Sequence, residues 1–205
     1  MAEIAVIGAG YVGLTLAVGA AHLGHNVSVG EPDEERVCAL LAGNCPVFEE
    51  GIADLLEEGL TARRLTFMTS NIEAIESAEF VFLALPTPSA PDGSADLTVL
   101  HTVIDELAPH LGDRVLVLKS TVPVGTNRDV AARLRTAGCP APVVSNPEFL
   151  REGTALGDFL QPDHIVVGGD DAEAVTRVAE LFDLGCPVTM TDPMSAELVK
   201  YATNA

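Results

Sequence analysis

Between residues 4 and 30 the chain carries no Asp, Glu, Lys or Arg, yet six glycines are set into the stretch: Gly8, Gly10, Gly13, Gly19, Gly24 and Gly30. No other feature constrains the fold as much. A membrane helix would not hold these glycines together with His22, His25 and Asn26. A secretory leader opens on basic residues, and this chain offers only Glu3. What fits both the apolarity and the glycines is a strand buried on both faces, a helix packed on a sheet, and a second buried strand. These fall at residues 4–7, 11–23 (stopped by Gly24) and 26–29.

The alternation continues along the chain. Asp33 predicts a cap for a helix over 34–42 that ends at Gly43. Further helices are expected at 51–59, 97–108, 126–137, 171–183 and from Ser195 onward. Further strands are expected at 65–67, 80–85, 115–118, 142–145 and 165–167. The Pro- and Gly-rich stretch 86–93 reads as a loop. Strands alternating with helices over short connections predict an α/β fold, a doubly wound parallel sheet with helices on both faces. Residues 1–192 read as one domain. Residues 193–205 read as the beginning of a longer helix that stops without a C-cap, which suggests truncation.

Charge narrows the partners. Of the 205 residues, 30 are acidic and 11 basic, a formal net charge of −19. Nucleic acid and anionic membrane surfaces are excluded, since both need clustered Lys and Arg. Any phosphate must be held by backbone N–H groups and a few placed cations. Cys38, Cys45, Cys139 and Cys186 form no CxxC or Cys/His cluster, so neither a metal site nor a disulfide framework is read. His22 and His25 straddle Gly24, a poor arrangement for a shared metal. A reducing cytoplasm is the expected compartment.

Gly8-Ala9-Gly10-Tyr11-Val12-Gly13 follows the first strand and opens the first helix, the context that gives this common pattern meaning. The first glycine permits a tight turn, the second lets backbone approach a diphosphate, and the third lets helix and strand pack closely. The helix N-terminus then holds the anion without Lys or Arg. Backbone of Gly8, Gly10, Tyr11, Val12 and Gly13 is the expected contact. Glu31 ends the second strand, where a carboxylate accepts hydrogen bonds from ribose hydroxyls and repels a 2′-phosphate, favouring NAD over NADP. Arg36 stands nearby and complicates that preference. The expected architecture is Rossmann-type.

Three more loops follow strands at the carboxyl edge of the sheet, where ligands bind in open α/β folds. They carry Thr87-Pro88, Lys119-Ser120-Thr121-Val122-Pro123, and Asn146-Pro147-Glu148-Phe149-Leu150-Arg151-Glu152-Gly153. With KSTVPVGT at 119–126, NPEFLREGTA at 146–155 and SAELVKYATNA at 195–205 added to GAGYVG, the chain resembles the nucleotide-sugar 6-dehydrogenases typified by UDP-glucose 6-dehydrogenase. GDP-mannose, TDP-glucose and UDP-N-acetyl-hexosamine 6-dehydrogenases remain alternatives within that resemblance.

The resemblance implies a four-electron oxidation of a sugar C6 alcohol to a carboxylate, with two NAD reduced and a cysteine thioester on the way. It assigns Glu148 as acid/base, Thr121 as the hydroxyl that positions water and substrate oxygen, Lys200 as the stabiliser of alkoxide and oxyanion, and Asn204 as its amide partner. On a helix Lys200 and Asn204, four apart, share one face. Arg36, Thr87, Ser120, Thr121 and Glu152 are implied to touch NAD. Glu148, Phe149, Leu150, Arg151, Glu152, Lys200 and Asn204 are implied to hold a nucleotide-diphosphate sugar. Read on its own, Arg151 suits a surface or interface. The family's nucleophilic cysteine lies in a glycine-rich C-terminal motif that none of the four cysteines matches. The chain is therefore expected to be the N-terminal, NAD-binding half of an enzyme that is a homodimer when complete, inactive alone. A stand-alone dinucleotide-binding or regulatory module is the competing reading. A hydroxyacid or hydroxyacyl dehydrogenase is disfavoured by the motifs at 119–126 and 146–155.

Overall fold

The uncharged N-terminal stretch folds as strand, helix and strand in a computed structural model, which describes residues 1–182 and 184–204 and leaves the Asn204 side chain outside the description. Strand β1 (Glu3–Ile7) leads into helix α1 (Tyr11–His22) and strand β2 (Asn26–Gly30). Helix α1 is buried from Gly13 to Ala21, which explains why it has no polar face. Then come α2 (Glu34–Leu41), α3 (Ile52–Thr61), β3 (Leu65–Met68), α4 (Asn71–Ile75) and β4 (Phe80–Leu83). Beyond them lie α5 (Thr98–Leu111), β5 (Val115–Leu118), α6 (Thr126–Thr136), β6 (Val143–Ser145) and α7 (Ala155–Leu160). The chain closes with β7 (Ile165–Gly169), α8 (Ala172–Leu181), β8 (Val188–Thr191) and α9 (Pro193–Asn204).

The chain forms two compact units, Met1–Ala84 with Leu150–Pro162, and Leu85–Phe149 with Asp163–Ala205. The eight strands are mostly parallel, ordered β3-β2-β1-β4 in the first unit and β5-β6-β7-β8 in the second. This is the expected doubly wound α/β architecture. In the first unit every pairing is parallel, and β1 and β4 are apolar runs buried almost throughout.

One pairing departs from expectation: β7 runs antiparallel to β6. A parallel return needs a crossover that packs back on the same sheet. The link from β6 makes no such crossover, and β7 enters from the end at which β6 left.

The strand expected over 80–85 ends at Leu83. Leu85 has a different partner: its N–H donates to Ser120 Oγ at 2.8 Å, and the Ser120 hydroxyl donates to the Leu85 carbonyl at 2.7 Å. Helix α5 runs past the expected end at 108 and contains Pro109. Asp33 does cap α2, accepting from the Arg36 N–H at 3.1 Å. Helices α4 and α7 and strand β8 were not read from the sequence.

Among the described residues no helix is long and apolar enough to cross a membrane.

Candidate active site

The first unit builds its loop from Gly8. Gly8 has φ +100°, a conformation that suits only glycine. A Cβ on Gly13 would lie 1.9 Å from the Gly8 carbonyl oxygen and 3.1 Å from Ala84 Cβ, so helix and turn approach more closely than any side chain permits. At Gly10 a Cβ would meet nothing within 4 Å. Gly10 is also the N-cap of α1, and no side chain caps that end. The result is a helix N-terminus open to an approaching anion.

Glu31 is buried to 7 % exposure at the end of β2. Its Oε2 accepts from the Ala9 N–H at 3.0 Å, and its Oε1 accepts from the Asp33 N–H at 3.1 Å. The Arg36 guanidinium lies 3.4 Å from Oε2. Glu31 therefore ties the glycine loop to the end of β2, and Arg36 is drawn towards that carboxylate. Open backbone at Gly10 with a fixed carboxylate one strand away fits a dinucleotide.

The first unit also contains a residue that sequence reasoning missed. Glu49, in the link before α3, accepts from the Tyr11 hydroxyl and from the N–H groups of Gly153 and Ala155. The Tyr11 hydroxyl also lies 3.2 Å from the Arg151 carbonyl. Burial and the Glu49 carboxylate push the Tyr11 phenol up. The Tyr11 hydrogen bond holds Glu49 below its usual range. No sequence signal marks Glu49, since it is one acid among thirty.

Arg151 is also committed. Its guanidinium meets Asp158 through Nη2–Oδ1 at 2.5 Å and Nε–Oδ2 at 3.2 Å, and its own N–H donates to Oδ2 at 2.9 Å. Leu150 and Glu152 stand beside it in the first unit, half-buried and exposed respectively.

The second unit gathers the other candidates. Lys200 Nζ lies 2.8 Å from Glu148 Oε1, with both side chains at or below a tenth exposed. The same ammonium stands 5.7 Å from the centre of the Phe149 ring, which packs on His164. Thr121 and Lys200 line one small cavity with Ser120, Ser145, Pro147 and Glu197. Thr87 Oγ1 donates to the Thr121 carbonyl at 2.8 Å. The turn after β5 is thus tied to the segment after β4 twice, Ser120 to Leu85 and Thr121 to Thr87. Asn204 ends α9, and its side chain lies outside the described residues.

Two more buried groups were unforeseen. Glu197 is 3 % exposed and accepts from the N–H groups of Gly125 at 2.6 Å and Asn127 at 2.7 Å. It anchors α9 to the start of α6. Burial pushes its carboxyl up, against the pull of those two N–H groups. Lys119 is 8 % exposed, its Nζ donates to Asn146 Oδ1 at 3.0 Å, and burial brings its ammonium down to about 8.

Among the described residues no group of three or more His, Cys, Asp and Glu is placed to hold a metal ion. The four cysteines are unbridged, with Cys139 buried and Cys38 exposed.

A parallel α/β sheet, a glycine turn at a helix N-terminus and a carboxylate at the end of β2 define a dinucleotide-binding domain of the dehydrogenase class. The chain belongs to the UDP-glucose/GDP-mannose dehydrogenase family, whose NAD-binding domain matches residues 2–184. It is 39% identical over 208 residues to a UDP-glucose 6-dehydrogenase of Rickettsia felis, a match covering 99% of this chain and 46% of that protein. It is 40% identical over 210 residues to UDP-glucose 6-dehydrogenase TuaD of Bacillus subtilis, with 100% and 46% covered.

Among solved structures, a UDP-glucose dehydrogenase of Pyrobaculum islandicum superimposes with TM-score 0.93 at 40% identity, covering 100% of this chain and 49% of that one. A GDP-mannose dehydrogenase of Pseudomonas aeruginosa, solved as a ternary complex, gives TM-score 0.93 at 30% identity, with 98% and 49% covered. The chain thus spans about half the length of the relatives it matches. It is a nucleotide-sugar dehydrogenase NAD-binding domain, and NAD is its cofactor.

Proposed function

We propose that this chain is the cofactor half of an NAD-dependent nucleotide-sugar 6-dehydrogenase. The reaction is oxidation of a sugar C6 alcohol to the carboxylate, of the UDP-glucose to UDP-glucuronate type. The observation that carries the proposal is the Glu148–Lys200 pair, which joins a carboxylate to an ammonium that lines a cavity with Thr121. The UDP-glucose dehydrogenase relatives, near 40% identity, favour the glucose substrate over the mannose one.

NAD when bound accepts hydride. This chain supplies the rest of the proton and charge management. Backbone of Gly8, Gly10, Tyr11, Val12 and Gly13 holds the diphosphate, and Glu31 takes the ribose hydroxyls. Arg36, Thr87, Ser120, Thr121 and Glu152 complete the cofactor contacts. Glu148 assists loss of the C6 hydroxyl proton, directly or through a water that Thr121 orients, and is required as the base that activates water to hydrolyse the thioester. Lys200 stabilises the oxygen as it gains negative charge. Phe149, Leu150, Arg151 and Glu152 hold the sugar nucleotide, and Asn204 assists Lys200. A thiol for the second oxidation comes from a second half of the enzyme, which also carries its homodimer contacts. The enzyme works in the cytoplasm.

The test uses the full-length enzyme with NAD and UDP-glucose. The expected product is the uronate with two NAD reduced per sugar, and Glu148→Gln should accumulate a covalent sugar adduct seen by mass spectrometry. Normal release of free acid by that variant removes Glu148 from its role. NADP that titrates as tightly as NAD removes Glu31 from its own.

A further inference from the structure

The mechanism above leaves one buried carboxylate unused. Glu197 is 3 % exposed and sits on α9 three residues before Lys200, so the two share one face of that helix. Both line the cavity that also holds Thr121. The Glu197 oxygens are turned to backbone: Oε2 accepts from the Gly125 N–H at 2.6 Å and Oε1 from the Asn127 N–H at 2.7 Å. These two N–H groups open α6. Its N-cap is Gly125, whose φ of +102° favours glycine and leaves no side chain to cap with. A carboxylate suits a helix N-terminus, and here it is supplied from another helix.

That origin has a consequence for the site. Gly125 closes the turn that carries Thr121, so Glu197 ties that turn to the helix that carries Lys200. A second hydrogen bond extends the tie. The Asn127 side-chain amide donates to Ser145 Oγ at 3.0 Å, and both residues are buried. Ser145 ends β6, and the loop that follows carries Glu148. The segments that bear Thr121, Glu148 and Lys200 are therefore joined through Glu197 and Asn127. The start of α9 is held from two further sides. A Cβ on Gly168 would lie 2.6 Å from Ala196 Cβ, so α9 presses directly on β7, and Asp192 accepts from the Ser195 N–H at 3.1 Å. Capping alone does not call for a buried acid, since a neutral acceptor satisfies an N–H without desolvating a charge. Charge-assisted hydrogen bonds are stronger and shorter, which suits a contact that keeps distant segments in register.

We propose that Glu197 is a positioning residue: by holding the Gly125 and Asn127 N–H groups it keeps Lys200 and Thr121 in the relative placement that the oxidation needs. This rests on the reading of Lys200 and Thr121 as parts of the reacting site.

The test uses the full-length enzyme with NAD and UDP-glucose. Glu197→Gln keeps the shape of the side chain but sets an amide N–H against one of the two backbone N–H groups. Its kcat should fall about a hundredfold, the scale of a misplacement of about 1 Å. Its NAD affinity should hold, because the glycine turn lies in the first unit. In a Lys200→Met background, where the group to be placed is gone, Glu197→Gln should add little further loss of kcat. Glu197→Asp keeps the charge and shortens the reach by one carbon. It should show the same pattern, and it decides the matter where Glu197→Gln does not fold. The proposal is overturned by a folded Glu197 variant with wild-type kcat, by a loss of NAD affinity as large as the loss of kcat, or by an undiminished further loss in the Lys200→Met background. Lys200→Met alone separates this from the underlying reading. A normal kcat there overturns the role of Lys200 and the proposal with it, whereas a lowered kcat there beside a normal one in Glu197→Gln overturns the proposal alone.

Discussion

Lys200 and Glu148 form an ion pair at 2.8 Å with side chains only 7% and 10% exposed, joining α9 to the loop after β6. A buried pair of this kind is weak evidence for stability, yet removing one partner is expensive because the other charge is left in a poor solvent. Lys200→Met should therefore destabilise the protein by about 3 kcal/mol. Adding Glu148→Gln should recover part of that loss. Urea unfolding of the two single variants and the double variant measures the coupling, and additive losses would show that the pair is not coupled.

The glycine loop gives a prediction that separates folding from binding. Gly13→Ala drives a Cβ into the Gly8 carbonyl at 1.9 Å, backbone against helix, with no flexible group to yield. It should cost about 2 kcal/mol of stability and abolish NAD binding. Gly10→Ala meets nothing within 4 Å, and its φ of −76° suits alanine. Its thermal midpoint should hold while NAD affinity falls by about tenfold, since the added methyl stands where the diphosphate approaches. Calorimetric titration beside a melting curve checks both, and undiminished NAD affinity in Gly10→Ala would move the diphosphate elsewhere.

Glu49 predicts a local effect. Its carboxylate holds the Gly153 and Ala155 N–H groups and the Tyr11 hydroxyl. In Glu49→Ala those two amides should exchange with deuterium about tenfold faster or more, with little change in the strands of the same unit. The Tyr11 phenol should also titrate at lower pH than in the wild type, because Glu49 supplies both the hydrogen bond and the repulsion that act with burial to raise it. Ultraviolet titration follows that change, and an unmoved phenol would leave burial as the sole cause.

How far the sequence reached depended on whether a feature announces itself locally. The glycine turn, Glu31 and the Asp33 cap are each set by a few neighbouring residues, and all three stand where local rules put them. The pairing of Glu148 with Lys200 was not derivable from spacing. It joins distant segments, and only the family motifs drew both residues into one site. Helix α4 did carry a signal that went unread: Ser70 accepts from the Glu73 N–H at 3.2 Å, and Ser-x-x-Glu is a helix-start pattern. Strand β8 carried almost none. Its residues are mostly exposed, so no apolar run marks it. The antiparallel β6–β7 pairing depends on the path of the long link between the two strands, which no local pattern encodes. Glu49, Glu197 and Lys119 were missed for one shared reason. Each is an ordinary charged residue whose role comes from partners far along the chain.

Lys119 yields a prediction about stability and pH. Burial depresses its ammonium from 10.5 to about 8, so the folded protein releases this proton at lower pH than the unfolded chain does. Between those two values the unfolded state binds more protons, and stability rises with pH. The contribution is complete above about 10.5 and is lost as pH falls through about 8. Its size is on the order of 3 kcal/mol. Other groups titrate over the same range, so the comparison that isolates Lys119 is with Lys119→Met, whose unfolding free energy should lack this rise. The two curves should meet above about 10.5, draw apart as pH falls to about 8 and keep a constant gap below it, with the variant the more stable at neutral pH. Curves that stay parallel between about 8 and 10.5 would mean that the ammonium is solvated in the folded protein. A more stable variant would show a buried charge kept at the expense of stability.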